Sequence, residues 1–223
     1  MITSNASEKI HQYNNTGLHY NIVATQVYKA RGLESDWFSG KYQSYLTAAL
    51  ISFDMGRMMG QGGKNKYDIG AGGFATKLHK KLIAIKPTIQ HLIKKQLIDL
   101  DIEKGKESII YTYYELSAKG REGLNQRGAE FHVGTTKILH FINPELFLII
   151  DSNASRAFRF FHNVKYRNTT QPGYSPDRYI ECLSLAKEDI LAFGVTAFQA
   201  LENDVPIARI YDKLTFVTGS NLP

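Results

Sequence analysis

Apolar positions recur along most of this chain at the spacing of an α-helix. In residues 42–59, Leu46, Ala49, Leu50, Phe53 and Met58 follow a period near 3.6, which predicts a helix. Phe74, Leu78 and Leu82 do the same for residues 74–85, and Pro87 suits the first turn of a further helix over 88–97. Tyr179, Leu183, Ala186 and Ile190 form the inward face of a long helix over 176–193. Residues 17–29, 152–162, 196–202 and 206–218 also read as helical. The pattern changes in 96–115, where β-branched and aromatic residues crowd two short runs around Lys104-Gly105-Lys106. An antiparallel hairpin is expected there, followed by a helix that Ser117 would cap. The polar residues 1–15 and 168–176 are expected to carry little order, and glycine-rich residues 56–73 a loop. The expected architecture is mainly α: a helical bundle of two lobes with one small β-hairpin. Its segments are a lead and linker over 1–40, a basic helical segment over 41–130, and a second helical segment over 131–223.

Residues 132–158 are the most informative. They read as a turn containing Gly134, a short helix, Pro144, and an apolar run from Leu146 to Ile150 that ends in Asp151. The run needs burial, so the chain carries a carboxylate to the edge of a core, where a charge must be compensated. Aspartate is a favoured N-cap, and the amides and dipole of a helix start stabilise an anion. Asp151 is therefore expected to open the helix over 152–162, as a structural cap, a chemical group, or both.

Composition narrows the classes. The 223 residues, 43% apolar with 26 aromatics, suit a globular protein with one good core or two small lobes. The first residues lack the basic-then-apolar order of a signal peptide, and no run approaches a membrane span. Cys182 is alone, which excludes an internal disulfide and a multi-cysteine zinc site. A reducing cytoplasm is the expected setting, with nucleoid association if the source is bacterial. The net charge of +6 is unevenly spread. Residues 57–95 hold nine Lys/Arg, including Lys77, Lys80, Lys81, Lys94 and Lys95, against one acid, Asp68. Residues 156–178 hold five, including Arg156 and Arg159, against Asp177. Such blocks exceed what solubility needs and point to a polyanion, most simply nucleic acid. The charge pattern does not distinguish DNA from RNA.

The glycine turn and lysine, then a helix, then an aspartate capping the next helix, resemble the helix-hairpin-helix DNA glycosylases. The resemblance covers about thirty residues. It implies that Val133, Gly134 and Thr135 hold a DNA phosphate, with Thr136 beside them as a nucleic-acid contact, that Lys137 is the nucleophile of a lyase step, and that Asp151 is the catalytic carboxylate. Residues 74–127 are similar to a winged helix: a helix, a two-stranded wing, then Leu116-Ser117-Ala118-Lys119-Gly120. That likeness implies that 88–95 enters a major groove while the wing touches backbone.

Other constellations are weaker. Gly60-Gln-Gly-Gly63 and Gly70-Ala-Gly-Gly73 lack the Lys-Ser/Thr ending of a nucleotide loop. The histidines show no metal-like pairing, and Gly134 argues against one helix holding both His132 and His140. No metal or cofactor is called for. Arg209, Asp212 and Lys213 read most simply as a solvated helical set, with Tyr211 or Asp212 lining the Asp151 site as the alternative. Tyr42, Trp37 or Tyr211 are candidates to stack on an extruded base. Three functions remain: a base-excising enzyme, a DNA-binding regulator without chemistry, and a module whose basic surface meets an acidic protein.

Overall fold

A computed structural model describes residues 1–33, 38–60, 73–120, 123–124, 130–163 and 175–222. The Trp37 candidate, the glycine-rich 61–72, Arg57, Lys64 and Lys66, and residues 164–174 lie outside the residues, or the side chains, so described. Ten α-helices are found among the described residues: α1 (Ala6–Thr16), α2 (Leu18–Leu33), α3 (Gly40–Gly60), α4 (Phe74–Ile89), α5 (Ile102–Ser117), α6 (His132–Ile142), α7 (Ser152–His162), α8 (Pro176–Phe193), α9 (Val195–Gln199) and α10 (Ile207–Ser220). The mainly α expectation holds.

The hairpin does not form, and the winged-helix likeness ends with it. Residues 102–117 are α5, opened by Asp101, whose side chain accepts from the Lys104 amide. Burial shows why helix wins over β-propensity. Ile109, Thr112, Tyr113 and Leu116 are buried while Tyr111 and Tyr114 are exposed, a helical rather than an alternating rhythm. Gly105, expected in a turn, sits in the first turn of α5, where an added Cβ would lie 3.2 Å from Leu100 Cδ1. Its small size lets α5 settle on the loop before it. Ser117 closes α5 rather than capping a new helix.

Three further boundaries differ from expectation. Pro87 lies inside α4 and does not begin a new helix. The buried stripe Phe74, Leu78, Leu82, Ile85, Ile89 continues across it, and Pro87 faces solvent, where water can satisfy the freed carbonyl. A short 3-10 turn, Gln90–Leu92, follows. The polar N-terminus forms α1, which buries Ala6, Ile10 and Tyr13 and packs on α10. His132 and His140 do share one helix, α6, with Gly134 in its first turn.

One hydrophobic cluster runs from Ile2, in the turn before α1, to Leu214 on α10 and takes residues from all three sequence segments. Helix α10 packs most extensively on α7 and then on α1. No helix among the described residues is long and apolar enough to cross a membrane.

Candidate functional site

Residues 143–151 form a strap between α6 and α7, a turn at 144–146 followed by irregular backbone, and Leu146, Phe147 and Leu148 are fully buried in it. Burying such side chains contributes on the order of 1.5–3 kcal/mol each. It also buries backbone that has no strand partner, and an unpaired buried amide or carbonyl is costly. Side chains from three helices meet that need. His140 Nδ1 donates to the Phe147 carbonyl at 2.6 Å. Tyr179 donates its hydroxyl proton to the Leu148 carbonyl at 3.0 Å. The Ile149 amide donates to Asp212 Oδ1 at 2.8 Å, and the Ile150 amide to Thr136 Oγ1 at 3.1 Å. At the near end, the Asn143 amide nitrogen donates to the carbonyls of Leu92 and Lys95. Glu145 Oε2 accepts from Ile207 at the start of α10.

The strap delivers Asp151 to the N-cap of α7. Its Oδ1 accepts from the Asn153 and Ala154 amides, both at 2.9 Å. The residue is half-buried, and no described residue bonds to Oδ2. The expected cap is therefore present, and it occupies one oxygen of the carboxylate.

Lys137 sits beside this strap but turns the other way. Its ammonium donates to the Tyr20 hydroxyl at 3.4 Å and lies over the rings of Tyr20 and Phe53, 5.5 and 5.2 Å from their centroids. No hydrogen bond or ion pair joins it to Asp151. The expected phosphate turn is the first turn of α6. Gly134 is there because of Phe131, whose ring would come within 2.0 Å of an added Cβ. Thr135 and Thr136 are fully buried, and Thr136 is committed to Ile150 and to the Val133 carbonyl. Neither threonine faces a ligand, because the α6 stripe that carries them packs inward.

The basic residues divide. Lys80, Lys94 and Lys95 are exposed; Lys77 reaches the Gly123 carbonyl, and Lys81 pairs with Glu115 at 3.7 Å. Arg156 and Arg159 are both exposed, and Arg156 also donates to the Gly219 carbonyl on α10 at 3.2 Å. Of the stacking candidates, Tyr42 and Tyr211 are fully buried, bonded to the Phe141 carbonyl and to Asp189.

Sequence reasoning misplaced the polar residues of α10. Arg209, Asp212 and Lys213 are not solvated; they are 5%, 4% and 4% exposed. Arg209 donates to the Tyr13 hydroxyl at 2.7 Å, and Lys213 pairs with Glu202 at 2.6 Å and with Asn14 at 2.9 Å. The available signal was that all three sit among apolar residues, with Ile207, Ile210 and Leu214 covering the rest of the turn.

His140 and Asp212 face each other at 3.3 Å, yet both are driven toward neutrality. Burial pushes the Asp212 carboxyl well above the usual carboxylate range, against the pull of Arg209. Burial, then the Arg209 charge, lowers His140 to about 3. A carbonyl only accepts, so Nδ1 carries the proton for Phe147, and Nε2 takes a hydrogen bond from the Tyr28 hydroxyl at 2.6 Å. The contact with Asp212 is thus between neutral groups rather than an ion pair.

This gives a pH dependence. The folded protein holds His140 unprotonated far below its unfolded pKa of 6.5, so unfolding binds a proton as pH falls through that range. His140 therefore costs stability as pH drops from about 6.5 toward 3. Asp212 works in the opposite direction above about pH 4, because its folded form keeps the proton longer. In an Asp212→Asn background, the urea-unfolding free energy should fall by about 3 kcal/mol more between pH 7 and 4 with His140 than with His140→Gln. Equal slopes for the two would place His140 in a hydrated site.

Comparison with protein-family models, with characterised proteins and with solved structures finds no match.

Proposed function

We propose that the chain binds nucleic acid and releases a damaged or modified base from DNA, with Asp151 as the working carboxylate. One observation carries this reading: Asp151 is half-buried at the start of α7, fixed through Oδ1, with Oδ2 bonded to no described residue. A held but uncommitted carboxylate oxygen is what stabilises a sugar that becomes cationic as its base leaves. The start of α6 supports the reading, since it has no side-chain cap and a helix start favours a phosphate. Lys137 enters as the nucleophile of an accompanying lyase step, reached once DNA displaces it from Tyr20. The deciding experiment incubates the protein with duplexes carrying a panel of damaged and modified bases, with and without borohydride. Base release supports the proposal, and a trapped adduct that Lys137→Ala abolishes adds the lyase step. Salt-dependent binding with no release on any duplex leaves binding alone.

A second reading, DNA binding without chemistry, is favoured by the outer face of α4. From Gly73 to Gln96 the chain has no acid, and Lys80, Ile83, His91, Lys94 and Lys95 stand on its solvent side. Neutralising phosphates releases counterions, so affinity falls steeply with salt. Replacing Lys80, Lys94 and Lys95 by Glu should weaken binding to all sequences and flatten the plot of log K against log salt by about three. Unchanged affinity would take this face out of the interface.

A further inference from the structure

Two turns of α10 bracket Asp151. Asp212 holds the Ile149 amide, two residues before it. Gly219 lies against Asn153, two residues after it, so closely that an added Cβ would sit 1.8 Å from the Asn153 carbonyl oxygen. Seven residues separate Asp212 from Gly219, which is about two helical turns, so both lie on one stripe of α10. Arg156 closes the same contact by donating to the Gly219 carbonyl. Asp212 is an unusual choice for a structural position. It is almost wholly buried, and among the described residues its Oδ2 has no hydrogen-bond partner.

We propose that Asp212 is a positioning residue, which grips the strap through the Ile149 amide and so fixes where Asp151 presents its uncommitted oxygen. The proposal rests on the reading of Asp151 as the working carboxylate. Asp212 itself cannot touch DNA, being enclosed by α10, the strap and His140. It acts by shortening the list of positions the strap can adopt. Without the acceptor, the Ile149 amide must find another partner, and the chain on the Asp151 side shifts with it. Misplacement by an ångström is enough to cost a catalytic group about a hundredfold.

The test compares Asp212→Leu, which keeps the branched skeleton and removes the acceptor, with Asp212→Asn, which keeps an oxygen for Ile149. Asp212→Leu should lower kcat for base release at least about tenfold, leave the DNA Kd within about twofold, and make the Asn153 and Ala154 amides exchange faster with solvent deuterium. Asp212→Asn should restore kcat to within about threefold of wild type and restore the exchange protection. A purely structural role would instead raise exchange across α8 and α10 alike. If Asp212→Leu does not fold, Asp212→Ala removes the same acceptor and is read the same way. Unchanged exchange at Asn153 and Ala154 in a folded variant lacking the acceptor overturns the proposal. If the wild type releases no base, the reading of Asp151 falls, while the exchange comparison still decides whether Asp212 holds the strap.

Discussion

Asp151→Asn is expected to reduce base release by a hundredfold or more while leaving the fold and the DNA affinity close to wild type. Asparagine keeps an oxygen where Oδ1 accepts from Asn153 and Ala154, and it is itself a good cap. What it removes is the charge, and with it the stabilisation of a developing cation, a term worth about a hundred- to a thousandfold in comparable electrostatic sites. Asp151→Ala separates the two roles. It should cost about 1 kcal/mol of stability through the lost cap, in addition to the loss of activity. Single-turnover base release and urea unfolding on the same preparations read both. If Asp151→Asn releases base at the wild-type rate, Asp151 is a cap and nothing more.

Gly219→Ala should be among the most damaging single-methyl changes in the protein. The new Cβ would lie 1.8 Å from the Asn153 oxygen, 2.5 Å from its carbonyl carbon and 2.9 Å from its Cα. These are backbone atoms, so no side chain can rotate out of the way. Helix α7 would have to move away from α10, taking the Asp151 cap with it and opening the most extensive helix pair of the fold. A loss of about 3 kcal/mol is expected, near the upper end for overpacking, or a Tm lower by roughly 6–12 °C for a chain of this size. Gly40→Ala is the control. A Cβ at Gly40 meets nothing within 4 Å, and that variant should melt within a degree or two of wild type. Similar melting of the two variants would mean that α7 and α10 stand farther apart.

The apolar strap must be buried, its backbone must then be satisfied by side chains, and the strap ends at the Asp151 cap. That is why so many polar residues in 136–151 have a partner in the core. Thr136, His140, Asn143, Glu145 and Asp151 each hold a backbone amide or carbonyl.

What the sequence determined by itself was local. The periods of α3 and α8, the apolar run that becomes the strap, and the Asp151 cap were all legible, because each depends on neighbours within a turn or two of helix. The buried Cys182 followed from its place on the inner face of α8. The tertiary structure alone decided the rest. Residues 102–117 are rich in β-formers, yet they fold as α5 because one helical face finds α4 and α8 to pack on. The polar α1 is ordered because Tyr13 and Asn14 reach Arg209 and Lys213 across nearly two hundred residues of chain. Asp212 and Lys213 take the Ile149 amide, Glu202 and Asn14 as partners, and no local window identifies those groups. Periodicity carries information about which face is apolar. It carries none about which distant group will meet a polar residue once that face is closed, and that meeting is what decides the surroundings of Arg209, Asp212 and Lys213 on α10.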